Sequence, residues 1–249
     1  MALRPVQANF KALDDDALGR FWAAALGWGV SHEAPGVTNV EPLGGFVWPD
    51  PTALCIDVVA VPQPKPPTKN RVHLDLASQS AAHQAELVSR LRELGAVPVD
   101  IGQADVPWTV LADVEGNEFC VLEPRDHYRD TGPVAAVVVD CEDPRAMARF
   151  WGAAVDWKVL EVADDHASLR SAEGVGPYLE FLRVPGGKTV PDRVHLDLLP
   201  YPGDDTETEV ARLRALGAVG LDLGQGDVSW TCLVDPDGHE FCVLGAPAS

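Results

Sequence analysis

Arg71-Val-His-Leu-Asp-Leu76 and Arg193-Val-His-Leu-Asp-Leu198 are one hexapeptide written twice, and their spacing organises the chain. The shift that carries 71 onto 193 also carries Leu94-Gly-Ala-Val97 onto Leu216-Gly-Ala-Val219 and Trp108-Thr109 onto Trp230-Thr231. It carries Glu118-Phe-Cys-Val-Leu122 onto Glu240-Phe-Cys-Val-Leu244 as well. A single offset across four segments marks a duplication. Nearer the start of each copy, Arg20-Phe-Trp-Ala-Ala-Ala25 matches Arg149-Phe-Trp-Gly-Ala-Ala154 at a slightly larger offset, so the first copy carries extra residues ahead of Arg71. The polar stretch Pro124 to Pro133 reads as the connection. The expected units are residues 1–124, a linker at 125–133, and residues 134–249.

Alternation inside the hexapeptide sets directions. Residues two apart on a strand share a face, so Val72, Leu74 and Leu76 point one way while His73 and Asp75 point the other. The apolar set must meet helices, which leaves His73 and Asp75, and by the same rule His195 and Asp197, on the opposite, concave side. At the last hairpin Phe119 and Val121 read as helix-facing; Glu118 and Cys120, with their counterparts Glu240 and Cys242, then share the face of the imidazoles. Ionisable groups clustered in this way serve either as a site or as a hydrogen-bonded buried network, with Arg71 or Arg193 neutralising the acid. A histidine beside a carboxylate is also the arrangement that proton abstraction requires.

The flanking segments read as helices and turns. Asp14 can cap a helix whose Leu18, Phe21, Trp22, Ala25 and Leu26 form one apolar stripe, ended by Gly27. In the second copy Val134 to Val139 is the strand, Pro144 opens the helix, and Met147, Phe150, Trp151 and Ala154 are its buried stripe. Ser80 can cap a further helix with Leu87, Leu91 and Leu94 inside. Asp113-Val-Glu-Gly116 and Asp235-Pro-Asp-Gly238 read as hairpin turns. Trp22 and Trp151 are expected in the core, whereas Trp108 and Trp230, on strands, either pack or stack on an aromatic ligand.

At 249 residues and 46% hydrophobic content the chain can fill two cores. Its net charge of −19, with no basic cluster, argues against nucleic acid and anionic lipid as partners. There is no apolar run long enough to span a bilayer and no signal-peptide pattern at the start, so a cytoplasmic location is expected. The five cysteines, scattered and without a CxxC pair, read as reduced thiols.

Phe-Trp-Ala-Ala-Ala on the first helix, Arg-Val-His-Leu-Asp-Leu on the middle strand, Leu-Gly-Ala, and Asp-Pro-Asp-Gly-His-Glu-Phe-Cys at the last hairpin together resemble the vicinal oxygen chelate superfamily. The resemblance is to its glyoxalase-like branch, related to glyoxalase I, bleomycin-resistance proteins and extradiol dioxygenases. It covers the chain twice and implies an α+β fold: two domains, each of paired βαβββ modules forming a U-shaped mixed sheet, with helices on the convex side. Metal-dependent members hold a divalent ion such as Zn, Ni, Fe or Mn through His and Glu from facing strands. Carried onto this chain, the first-strand histidine falls at Gln7 and Ala136, the second-module histidine at His73 and His195, and the intervening carboxylate at Asp57 and Glu180. The last glutamate falls at Cys120 and Cys242, with Glu118 and Glu240 two residues earlier.

The expectation is therefore a protein binding a small apolar or aromatic molecule, with Gln7, Trp108, Trp230, Cys120 and Cys242 as ligand contacts. The alternative is an enzyme using His73, His195, Asp75 and Asp197, with or without a metal held by Glu180, His195 and Glu240, or by Asp57, His73 and Glu118. The second half is favoured for a metal. The chain is expected either as a monomer that forms an internal pseudo-dimer or as a homodimer.

Overall fold

The computed structural model describes residues 3–103, 105–224, 226 and 228–245, so the outermost ends of the two expected units lie outside the described residues. Four modules of identical order follow one another. The first is β1 (Arg4–Ala12), α1 (Asp15–Leu26), β2 (Gly29–Ala34), β3 (Val37–Glu41) and β4 (Cys55–Ala60). The second is β5 (Val72–Leu76), α2 (Ala81–Glu93), β6 (Val97–Pro98), β7 (Thr109–Ala112) and β8 (Glu118–Val121). A short 3-10 turn over Asp126–Tyr128 precedes the third: β9 (Val134–Cys141), α3 (Pro144–Ala154), β10 (Lys158–Val162), β11 (His166–Arg170) and β12 (Tyr178–Arg183). The fourth is β13 (Val194–Leu199), α4 (Thr206–Leu216), β14 (Val219–Gly220), β15 (Trp230–Val234) and β16 (Glu240–Leu244). The fold is α+β with two eight-stranded mixed sheets. Among the described residues no helix is long and apolar enough to cross a membrane.

The helices begin and end where local chemistry dictates. The Asp14 carboxylate accepts from the Ala17 amide, and Gly27 takes φ 68 to close α1. Asp143 caps α3 through the Ala146 amide, with Pro144 in the first turn, where a missing N–H costs nothing. Ser80 caps α2 through the His83 amide.

Modules pair across the duplication. The strand order of the first sheet is β14-β15-β16-β13-β1-β4-β3-β2, which joins the first module to the fourth; β10-β11-β12-β9-β5-β8-β7-β6 joins the third to the second. The joints are antiparallel: Asn9 lies opposite His195, and His73 opposite Val138. The two modules within one repeat meet instead through their helices. Trp22 packs its ring 5.1 Å from Phe119 and donates its indole N–H to Asp113 on the β7–β8 turn. Trp151 does the same with Phe241 at 5.3 Å and with Asp235. Both tryptophans are buried, as expected, in one apolar core shared by all four modules. Truncating either to alanine would cost about 3–5 kcal/mol.

Candidate functional site

The hexapeptide strands project as alternation requires. Leu74, Leu76, Leu196 and Leu198 enter the shared core, and His73, Asp75, His195 and Asp197 face the hollow of each sheet. In the first sheet β1 turns Gln7, Asn9 and Lys11 to the same side, since Ala8, Phe10 and Ala12 are in the core. The Asn9 amide is central: its Nδ2 donates to Asp57 Oδ2 at 2.9 Å and to Asp197 Oδ2 at 3.2 Å, while Asn39 donates to the other Asp57 oxygen. Burial, reinforced by the neighbouring Asp197 charge, pushes the Asp57 carboxyl up to about 7. His195 Nε2 lies 3.3 Å from Asp197 Oδ1 and 3.5 Å from Cys242 Sγ.

Above this polar floor opens a hollow of about 670 Å³. Its wall is largely apolar, with Val59, Val61, Pro62, Leu223, Trp230 and Leu244 among the lining residues. Lys11 stands at one side, donating to the Asp192 carbonyl at 2.9 Å.

The equivalent hollow of the second sheet is filled. Residues 125–133, read from the sequence as a linker, place Tyr128 inside it, packed with Ala136, Val138, Cys120 and Tyr178. The Tyr128 hydroxyl donates to Glu180 Oε1 at 2.8 Å; the Tyr178 ring stacks on His127 at 4.3 Å; and Arg170 donates to the Asp130 carbonyl at 2.9 Å. Beneath this plug, burial with help from Lys69 drives the His73 imidazole down to about 3. Burial, together with the Glu180 charge, raises Asp75 to about 7.

Placement of the sequence-derived residues is uneven. His195, Asp197, Cys242, Trp230, Asp57 and Glu240 all line the open hollow. The grouping of Glu180 with His195 does not occur: Glu180 is on β12 and His195 on β13, in different sheets, because modules pair across the repeats. The grouping of Asp57 with His73 fails for the same reason. Glu118 and Glu240 are committed elsewhere, Glu118 to Lys65 and the Asn70 amide, Glu240 to Lys188 and the Asp192 amide. Gln7 lies beside the lining and outside it, while Trp108 is tied to Gln103 and covered by Arg125. Asn9, Lys11 and Cys232 were not anticipated, yet β1 alternation continued from Gln7 reaches the first two.

One set of side chains in each hollow can hold a cation. Donor atoms of His195, Asp197 and Cys242 lie within 4.8 Å of one another, as do those of His73, Asp75 and Cys120. The open-hollow set fits a divalent ion, because His195 Nδ1, Asp197 Oδ1 and Asn9 Oδ1 are buried without hydrogen-bond partners. A nitrogen, oxygen and sulfur donor set suits zinc better than manganese.

The family profile described as glyoxalase-like domain matches residues 7–122 and again 136–244. No curated protein matches the chain. Among solved structures, the chain is similar to glyoxalase I from Zea mays at 16% identity, covering 98% of this chain and 92% of that one with a TM-score of 0.63. It is also similar to a dioxygenase candidate from Bacillus subtilis at 12% identity, covering 100% and 86% with a TM-score of 0.64. At such identities the structural likeness bears on fold alone. The two profile matches, spanning nearly the whole sequence, show that the chain belongs to the glyoxalase-like domain family of the vicinal oxygen chelate superfamily, as a tandem repeat.

Proposed function

We propose that this protein captures a small, largely apolar or aromatic molecule in the hollow of the first sheet and sequesters it. One observation carries the reading: a hollow of about 670 Å³ with apolar walls, Trp230 at its side and a single polar floor, while the twin hollow is plugged. That volume falls in the range of small-molecule sites, which are mostly apolar with a few fixed polar groups. Trp230 brings an indole ring to the wall of the hollow. Asn9, Lys11 and His195 offer hydrogen bonds to one polar end of the ligand. Each sheet is completed within one chain, which supports the internal pseudo-dimer as the working unit.

A second reading is an enzyme of the superfamily's lyase, isomerase or dioxygenase kind. It is favoured by the His195, Asp197 and Cys242 cluster together with a carboxyl, Asp57, held near neutrality. A divalent ion held there would supply Lewis acidity to a bound oxygen. The residues themselves would orient the ligand and hold a proton at Asp57 or His195. Titration of aromatic metabolites, followed by tryptophan fluorescence, separates the readings. Saturable binding without turnover, abolished in Val59→Trp, which projects into the hollow from the face of Asp57, is the expected result. Turnover lost in His195→Ala, with stoichiometric metal by elemental analysis, would favour the enzyme, and binding that persists in Val59→Trp would refute the placement of the ligand.

A further inference from the structure

Cys232 is left out of every role above, and its surroundings are particular. It lies directly across the β15–β16 ladder from Cys242, with 3.3 Å between the two sulfurs. Both thiols line the open hollow. Directly opposed residues of an antiparallel pair have Cα atoms about 4.5–5.5 Å apart, inside the range a disulfide needs, so the bond can close by side-chain rotation with the backbone in place. The position equivalent to Cys232 in the first copy is Val110, which stands opposite Cys120. Among the described residues the thiol pair therefore belongs to the open hollow and not to the plugged one.

We propose that Cys232 and Cys242 form an oxidant-sensitive dithiol in the wall of the hollow, converted to a disulfide by a hydroperoxide that enters it. The chemistry balances in two steps. One sulfur attacks the outer peroxide oxygen, the O–O bond breaks, and the thiol proton leaves on the departing alcohol or water, giving a sulfenic acid. The second sulfur then displaces the sulfenic hydroxyl, which leaves as water with the second thiol proton, and the S–S bond forms. Two thiols are oxidised by two electrons and the peroxide is reduced by two. Closing the bond also removes the Cys242 thiol from His195, so the polar floor of the hollow differs between the two redox states. This inference is independent of which ligand the hollow holds.

The test uses the full chain with EDTA present, so that a bound metal does not mask the thiols. The protein is treated with a small excess of hydrogen peroxide, denatured, alkylated and weighed. The chain holds five cysteines, and the expected result is a fall from five alkylated thiols to three, full recovery with dithiothreitol, and a peptide map joining Cys232 to Cys242. Cys120 stays alkylatable throughout as the internal control. In Cys232→Ser no disulfide forms, and a dimedone-trapped sulfenic acid accumulates at Cys242. Five thiols remaining, a bond between any other pair, or over-oxidation of Cys242 without a disulfide would each overturn the assignment.

Discussion

Replacing Tyr128 with phenylalanine tests the plug that separates the two halves. The ring would stay packed among Ala136, Val138 and Tyr178, and the substitution would delete one interaction, the hydroxyl donated to Glu180 Oε1 at 2.8 Å. A hydrogen bond to a charged group contributes about 1.5–3 kcal/mol, and its loss leaves a mostly buried carboxylate without that donor. We therefore expect a loss of about 2 kcal/mol at neutral pH. For a chain of this length that corresponds to roughly 4–8 °C in Tm. The loss must depend on pH. Burial raises the Glu180 carboxyl above its usual range, and the Tyr128 hydrogen bond works against that rise. Removing the hydroxyl raises it further, so the variant binds its proton to higher pH than the parent does. A group raised in the folded state favours folding below its unfolded pKa, and that contribution fades as pH climbs through the folded value. The gap between variant and parent is consequently small near pH 4, where both carboxyls are protonated, and grows as pH rises through the raised value of the variant. Calorimetric or fluorescence melts at pH 4 and pH 7 measure it. A variant as stable as the parent at pH 7, or equally destabilised at pH 4, would refute the seating of Tyr128 on Glu180.

Two further predictions come from charges whose titration is displaced by the fold. Asp57, raised to about 7, contributes stability below its unfolded value near 4 that is lost as pH rises through 7. Asp57→Asn should therefore show a shallower fall of Tm between pH 5 and pH 8 than the parent, and parallel curves would remove Asp57 as the titrating group. For His239, burial opposes the charged form, yet its hydrogen bonds to Asp192 and Asp237 prevail and raise it to about 10. Its stabilisation is complete below the unfolded value near 6.5 and fades as pH rises through 10. His239→Ala leaves Asp192 buried with Lys188 as its remaining cation and should cost about 3 kcal/mol by denaturant melts at pH 7, shrinking toward pH 10.

Local rules made much of the fold legible. The duplication, the caps at Asp14 and Ser80, the buried indoles and the inward turn of His195 and Asp197 all follow from spacing, capping chemistry and alternation, which act over a few residues. Partner choice between modules did not follow, because the same hexapeptide strand pairs equally well with β1 or β9 as far as its own residues show. That choice decides which carboxylate meets which imidazole, and it is why Glu180 was assigned to His195 when it belongs near His73. The thiol pair was within reach. A hairpin turn at Asp235–Gly238 places Val234 opposite Glu240, and stepping two residues outward on each strand places Cys232 opposite Cys242. Tyr128 was not within reach, since a short polar connection carries no pattern that says where one aromatic ring will settle.

The difference between the hollows traces to three positions on the strand beside the hexapeptide. β1 presents Gln7, Asn9 and Lys11, where β9 presents Ala136, Val138 and Asp140. Ala136 and Val138 give the Tyr128 ring an apolar bed, so the ring contributes burial at little polar cost. Over β1 the same ring would cover the Asn9 amide that bridges Asp57 and Asp197, with Asn9 Oδ1 already lacking a partner; His195 Nδ1 and Asp197 Oδ1 lack partners just as His73 Nδ1 and Asp75 Oδ1 do under the plug, so the added polar cost lies at the amide. Each buried polar atom denied water or a ligand costs about 1–3 kcal/mol. A polar β1 therefore favours a hollow that stays open to something able to hydrogen-bond with it, and an apolar β9 favours one that closes. Duplication supplied two identical strands of His and Asp, and the strand laid beside each decided which of them faces a ligand.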